Sequence, residues 1–219
     1  MPASAPSPSS FPRTSHPRFA RAFARAVPAM DRAGGAEHRR ELLSRARGAV
    51  VEVGSGTGAN FASYPHAATN VIALEPDPYL RGLSAEAAER SPVAVEVRDG
   101  IAESLPLVDD SADTVVASLV LCSVSDQEAA LAEIRRVLRP GGLLLFYEHV
   151  RSENRLIALA EDAVVPLWRR LAGNCHLNRD TLRVIERAGF RILDARRFGF
   201  SPGPGPGLAH ILGAATPRA

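Results

Sequence analysis

Short β-branched apolar runs alternate with helix-period segments along most of the chain. AVVEV (49–53), VIALE (71–75), VAVEV (93–97), DTVVASLVL (113–121) and LLLFYEHV (143–150) read as strands. Between them, residues 79–90 and 126–139 carry helical spacing. The latter places Leu131, Ile134, Val137 and Leu138 on one face, with Asp126 near its start and Arg139 near its end, as the helix dipole prefers. Pro140-Gly141-Gly142 predicts a turn before the fifth strand. This alternation predicts an α/β protein, a doubly wound, mostly parallel sheet with helices on both faces.

The ends read differently. Residues 1–16 are rich in Ser and Pro and are expected to be a disordered tail. Residues 17–30 predict a short helix with Phe19, Phe23 and Val27 on one stripe and Arg18, Arg21 and Arg25 off it. The first 30 residues hold no Asp or Glu, a pattern shared by presequences and membrane-surface helices. The shortness of the stripe, which ends at Pro28, favours a helix packed on the domain beside its ligand site. Residues 36–47 predict a second helix ended by Gly48, so residues 17–47 form an N-terminal helical layer on a domain spanning 48–216. Late in the chain, 155–172 reads as a helix kinked at Pro166, and 179–188 as another. Residues 190–198 and 208–215 read as two strands joined by SPGPGPG (201–207), an antiparallel pair at one sheet edge.

Composition narrows the chemistry. The 219 residues are 46% hydrophobic and 23% charged, enough for one self-sufficient core. A net charge of +2 gives no nucleic-acid footprint. All 26 basic residues are arginine, which excludes a P-loop, a pyridoxal Schiff base and a protein kinase, each of which needs a lysine. Cys122 and Cys175 are the only cysteines, which suggests a reducing compartment, taken as the cytoplasm. The Cys and His residues are too few and too scattered along the chain to predict a metal site. No apolar run reaches the ~18–20 residues of a membrane span, although the basic first helix suits peripheral contact with an anionic surface. Oligomeric state is not set by any of these features.

The loop after the first strand carries the strongest signal. Gly54-Ser55-Gly56-Thr57-Gly58 lets a ligand approach the backbone, and Glu75 follows Gly54 by 21 residues, where a carboxylate can accept from both hydroxyls of a ribose. Gly54-x-Gly56-x-x-Ala59 formally fits the dinucleotide pattern, but a nicotinamide-dependent oxidoreductase would need a hydride site, and neither a second domain nor a Tyr-x-x-x-Lys pair follows. Glu52, two residues before Gly54, would repel a pyrophosphate and attract a cofactor bearing an ammonium and a sulfonium. An outward-facing strand carboxylate is the alternative for Glu52.

Glu52-x-Gly54-x-Gly56-x-Gly58 resembles motif I of the S-adenosylmethionine-dependent methyltransferases. Gly100-Ile101-Ala102-Glu103-Ser104-Leu105-Pro106 resembles the segment bordering the adenine in the type-11 group, with Ile101 in place of the usual Asp and Asp99 able to take over its bond. Asp110-Ser111-Ala112-Asp113 and Leu138-Arg139-Pro140-Gly141-Gly142 resemble further segments of that group. A narrower likeness extends over about residues 38–215. LVLCSV (119–124), FYEHV (146–150), GNCHLNRDT (173–181) and HILG (210–213) resemble the methyltransferase-like-7 family, whose animal members are thiol S-methyltransferases. The resemblance implies a Rossmann-like methyltransferase fold with a seven-stranded sheet of order 3-2-1-4-5-7-6 and strand 7 antiparallel. It implies S-adenosyl-L-methionine as cofactor, held by Glu52, Gly54, Ser55, Gly56, Thr57, Gly58, Asn60, Glu75, Pro76, Asp99, Gly100, Ile101, Ala102, Glu103 and Leu119. The apolar N-terminal anchor of the animal members has no counterpart here, so their membrane association is not expected to carry over.

The acceptor is expected to be a small apolar molecule, most simply a thiol; a lipid headgroup amine or a quinone or phenol ring is the alternative. Methyl transfer from a sulfonium is an in-line displacement that needs alignment and exclusion of water more than a base. Residues at the ends of strands four and five and in the loop before the late helix are the candidates. His149 is the first choice for a proton acceptor and His176 the second; Cys122, Ser123, Glu148, Trp168 and Cys175 are expected to contact substrate. His149 could equally cap the sheet, and Cys122 could be a small core residue.

Overall fold

The computed structural model describes residues 17–201 and 207–218; the tail expected over 1–16 and most of the Pro/Gly turn lie outside them. Seven strands form one sheet of order β3-β2-β1-β4-β5-β7-β6. They are β1 Gly48–Val53, β2 Ala68–Leu74, β3 Ala94–Arg98, β4 Ala112–Ser118, β5 Leu138–His149, β6 Phe190–Phe200 and β7 Leu208–Pro217. The first five run parallel, and β7 lies antiparallel between β5 and β6. The helices are α1 Pro17–Met30, α2 Ala36–Leu43, α3 Pro78–Ala88, α4 Gln127–Val137, α5 Arg155–Leu171 and α6 Thr181–Arg187.

Alternate residues of each central strand feed two cores. Val51, Val53, Leu144 and Phe146 point to one, with Leu131, Ile134 and Val137 of α4 and Ile185 of α6. Val50, Leu143, Leu145 and Tyr147 point to the other, against Leu42 and Leu43 of α2. This period-2 split is how a strand buried on both faces must read. Asp77, Asp126 and Asn154 cap α3, α4 and α5, each accepting from two backbone N–H groups of the first turn. Such a cap is worth about 1 kcal/mol.

Three expected boundaries move. The fourth strand ends at Ser118, because Leu119 turns out of it with φ +60°. Pro140-Gly141-Gly142 does not separate α4 from β5: Leu138 already pairs with Ala112, and the turn is absorbed as an irregularity before Thr114 meets Leu143. The second helix ends at Leu43, short of Gly48. The helix expected over 155–172 is present as α5 with Pro166 inside it, and its outer face leaves Leu156, Leu159, Leu167 and Leu171 exposed.

Candidate active site

At the carboxyl ends of β1, β2 and β4 the sheet opens into a crevice of about 220 Å³. Gly54, Gly56, Glu75, Pro76 and residues 100–103 form its floor, and Leu119 and Val120 one wall. Gly54 sits at φ +64°, and a Cβ there would lie 2.5 Å from Val120, so the loop can pass under Val120 only without a side chain. Helix α1 lies across the opening, with Phe19, Ala20 and Phe23 in the lining and the two phenyl rings stacked at 5.7 Å. The apolar stripe therefore faces the crevice. Phe19 also covers Gly173 (φ +59°), where a Cβ would sit 2.4 Å from the ring.

Glu75 follows the last residue of β2 and is almost fully buried. It accepts from Gly56 N at 2.8 Å and Asp77 N at 2.9 Å, and burial raises its carboxyl above the ordinary range. A smaller chamber of about 50 Å³ shares Phe23, Gly54, Gly56 and Leu119 with the crevice and adds Glu52, Ser55, Thr57, Asn60 and Arg39. Glu52 thus faces the site, not the solvent. Asn60 Nδ2 donates to it at 2.9 Å and the Tyr64 hydroxyl at 2.6 Å. Burial pushes its carboxyl up to about 7 against the lowering effect of those two bonds.

Two polar atoms of that chamber, Asn60 Oδ1 and Arg39 Nε, are buried with no hydrogen-bond partner. Orphaned buried groups are costly and call for an explanation. An amino acid's ammonium and carboxylate supply the donor and the acceptor that these atoms lack, with Glu52 matching the ammonium charge. Glu75 is placed for ribose hydroxyls, and a diphosphate would meet two carboxylates instead. The residues present therefore fit S-adenosyl-L-methionine.

Gly58 and Asp99 stand apart from both chambers. Gly58 packs on α3, where a Cβ would lie 2.7 Å from Ala87. Asp99 pairs with Arg81 at 3.2 Å and lies outside the lining of both spaces, whereas Ile101, in the position of the usual acid, lines the crevice. Glu103 lines the crevice while accepting from Ser125 N at 2.8 Å.

On the acceptor side only Ser123 lines the crevice. Glu148 is fully buried, and its oxygens accept from the backbone N–H groups of Val120, Leu121 and Cys122 at 2.8–3.0 Å. It shapes the loop after β4 and has no face for substrate. His176 points its Nδ1 to Cys122 O at 3.2 Å, and burial lowers its pKa. His149 lies behind the crevice wall, with Nδ1 3.7 Å from Cys122 Sγ and 3.5 Å from Cys175 Sγ and its ring 4.3 Å from that of His210. The two sulfurs are 3.7 Å apart, and Trp168, Val165 and Leu177 enclose them. The three ligand-type side chains lie within 4.8 Å of one another, which corrects the expectation that they are scattered. The hydrogen bond between the cysteines raises the Cys122 thiol and lowers that of Cys175.

Arg39 and Tyr64 were not legible as site residues. Arg39 looks like one more surface charge of a basic helix and Tyr64 like a loop aromatic. The only signal was Glu52 itself, which as a strand carboxylate inside a sheet needs partners.

A sheet of this order, with a glycine-lined crevice at its carboxyl edge and acids at the sugar and amino-acid ends, defines a class I S-adenosylmethionine-dependent methyltransferase. A family model described as a methyltransferase domain matches residues 51–146. The chain is 37% identical over 197 residues to the human thiol S-methyltransferase TMT1B, covering 81% of this chain and 78% of the relative. It is 40% identical over 147 residues to human TMT1A, covering 64% and 59%. A SAM-dependent methyltransferase of Thermotoga maritima superposes with a TM-score of 0.67 at 23% identity, over 92% of this chain and 97% of that one. The chain belongs to the family of these thiol S-methyltransferases; it is an enzyme with S-adenosyl-L-methionine as cofactor. Among the described residues no helix is long and apolar enough to cross a membrane.

Proposed function

We propose that the enzyme transfers a methyl group to the sulfur of a small apolar thiol in the cytoplasm. When bound, the cofactor supplies a methyl group activated on a cationic sulfur. Glu52, Glu75 and the glycine loop would hold it so that the methyl meets a thiolate seated in the crevice, the thiol proton having gone to solvent and the donor C–S bond breaking as the S–CH3 bond forms.

The observation that carries this reading is the crevice lining. Phe19, Phe23, Leu80, Val120 and Val124 give it an apolar wall. Among the described lining residues there is no His and no Cys, Glu75 and Glu103 accept from backbone N–H groups, and Asp77 caps α3 through its Oδ1. An acceptor there must ionise largely by itself. A thiol near the cysteine value of ~8.5 is about a few per cent thiolate at neutral pH, and that fraction is strongly nucleophilic without a base, whereas a phenol near ~10 or an alkyl ammonium gains more from one. The similarity to thiol S-methyltransferases over most of the chain supports the same reading.

The test is turnover with alkyl and aryl thiols, phenols, amines and phosphatidylethanolamine liposomes side by side. Thiols are expected to be methylated, with a pH–rate midpoint that follows the pKa of each thiol. Preferential methylation of the amines, phenols or liposomes would overturn the proposal.

A further inference from the structure

We propose that Cys122, His149 and Cys175 form a zinc-type metal site behind the methyl-transfer crevice. The proposal goes beyond the methyltransferase activity and does not depend on which acceptor the enzyme uses.

The geometry carries it. A tetrahedral zinc with Zn–S of about 2.3 Å and Zn–N of about 2.0–2.1 Å places two sulfurs about 3.8 Å apart and a sulfur and a nitrogen about 3.5–3.6 Å apart. The observed separations are 3.7 Å for Sγ···Sγ and 3.5 and 3.7 Å for Sγ···Nδ1. Three side chains from three segments thus mark three corners of one tetrahedron: the loop after β4, the end of β5 and the loop after α5. The ligand set of two thiolates and an imidazole is borderline-soft, which selects zinc over magnesium or calcium.

The surroundings agree. Both cysteines are buried, which shields the two sulfurs from bulk solvent. The Trp168 indole packs against this cluster with its Nε1–H buried beside the Cys175 sulfur, and a metal-bound thiolate there is a stronger acceptor than the thiol. The Arg179 guanidinium, donating to Leu121 O at 2.7 Å and Val124 O at 2.9 Å, holds the loop that carries Cys122. Uptake of one zinc ion forms two Zn–S bonds and one Zn–N bond and releases the two thiol protons. Two thiolates, one dication and a neutral imidazole sum to zero charge, which keeps the electrostatic cost of burial low. Three protein ligands leave the fourth position to water or to an exogenous ligand.

The experiment uses the full chain, stripped with a chelator and exchanged into metal-free reducing buffer. Zinc is titrated against a chromophoric chelator, and cobalt(II) is added in parallel as a spectroscopic stand-in. The expected result is one zinc per chain, proton release on binding, and a tetrahedral cobalt spectrum with a thiolate charge-transfer band. Cys175→Ser and His149→Gln are each expected to weaken zinc binding by at least roughly tenfold, a loss that even outer-shell changes can reach. Both variants are first checked for a cooperative melt and for stabilisation by S-adenosylhomocysteine. If one fails that check, the other carries the test. Absence of stoichiometric zinc uptake, an octahedral cobalt spectrum, or unchanged affinity in the folded variant would overturn the proposal and leave a hydrogen-bonded thiol pair.

Discussion

Glu52 shows how a single carboxylate serves both the fold and the ligand. Its ordinary value is 4.5, and in the folded protein burial, which disfavours the charge, pushes it up to about 7. Folding therefore favours the protonated form. Its contribution to stability is complete below about 4.5 and is lost as the pH rises through about 7, a difference of about 3 kcal/mol. Glu52→Gln keeps an acceptor for Tyr64, and Asn60 can turn its free oxygen toward the new amide. The variant is expected to melt above the wild type at pH 8 and to lose that advantage by pH 5, as scanning calorimetry would show. Calorimetric titration should show the opposite for the cofactor: wild-type affinity rising from pH 6 to pH 8, and a weaker, flatter profile in Glu52→Gln. An acid two residues before Gly54 was readable along the chain. Its partners Tyr64 and Arg39 were not, because no spacing links a loop tyrosine and a helix arginine to a strand carboxylate.

At the level of elements, α1 and the loop after β4 decide what the crevice can hold. The stripe of Phe19, Phe23 and Val27 revealed both the helix and its apolar face, and the structure turns that face onto the glycine loop. Burying an aromatic side chain is worth about 1.5–3 kcal/mol. Phe23→Ala is accordingly expected to weaken cofactor binding roughly tenfold or more, mainly through faster dissociation, with little change in the melting temperature of the free protein. Stopped-flow displacement of bound S-adenosylhomocysteine checks this, and an unchanged off-rate would detach α1 from the site. The end of β4 was misread for a physical reason. Residues 119–121 are apolar enough to continue a strand, but the Glu148 carboxylate on the neighbouring strand draws the N–H groups of residues 120–122 into a turn. Such a long-range bond leaves no local pattern.

For the whole molecule, the alternation of strands and helices was enough to give the class of fold, and the late strand pair showed that one edge would be antiparallel. Sheet order came from resemblance, since periodicity does not rank strands. The meeting of Cys122, His149 and Cys175 was invisible because it depends on that order: β4 and β5 must be neighbours before their ends can converge. A ligand that binds only the folded chain stabilises all of it by mass action, about 2.7 kcal/mol at a hundredfold excess over Kd. For a chain of this size S-adenosylhomocysteine should raise Tm by roughly 5–10 °C. Gly56→Arg, which fills the crevice beneath Phe23, is expected to abolish that shift, and a shift equal to the wild type's would place the ligand elsewhere.

Trp168 is the chain's single tryptophan, and it rests against the paired sulfurs. Its emission is therefore an internal gauge of that spot. Thiolates quench an excited indole, so any event that ionises, caps or oxidises either sulfur should brighten or dim the whole molecule's ultraviolet fluorescence, with no label attached.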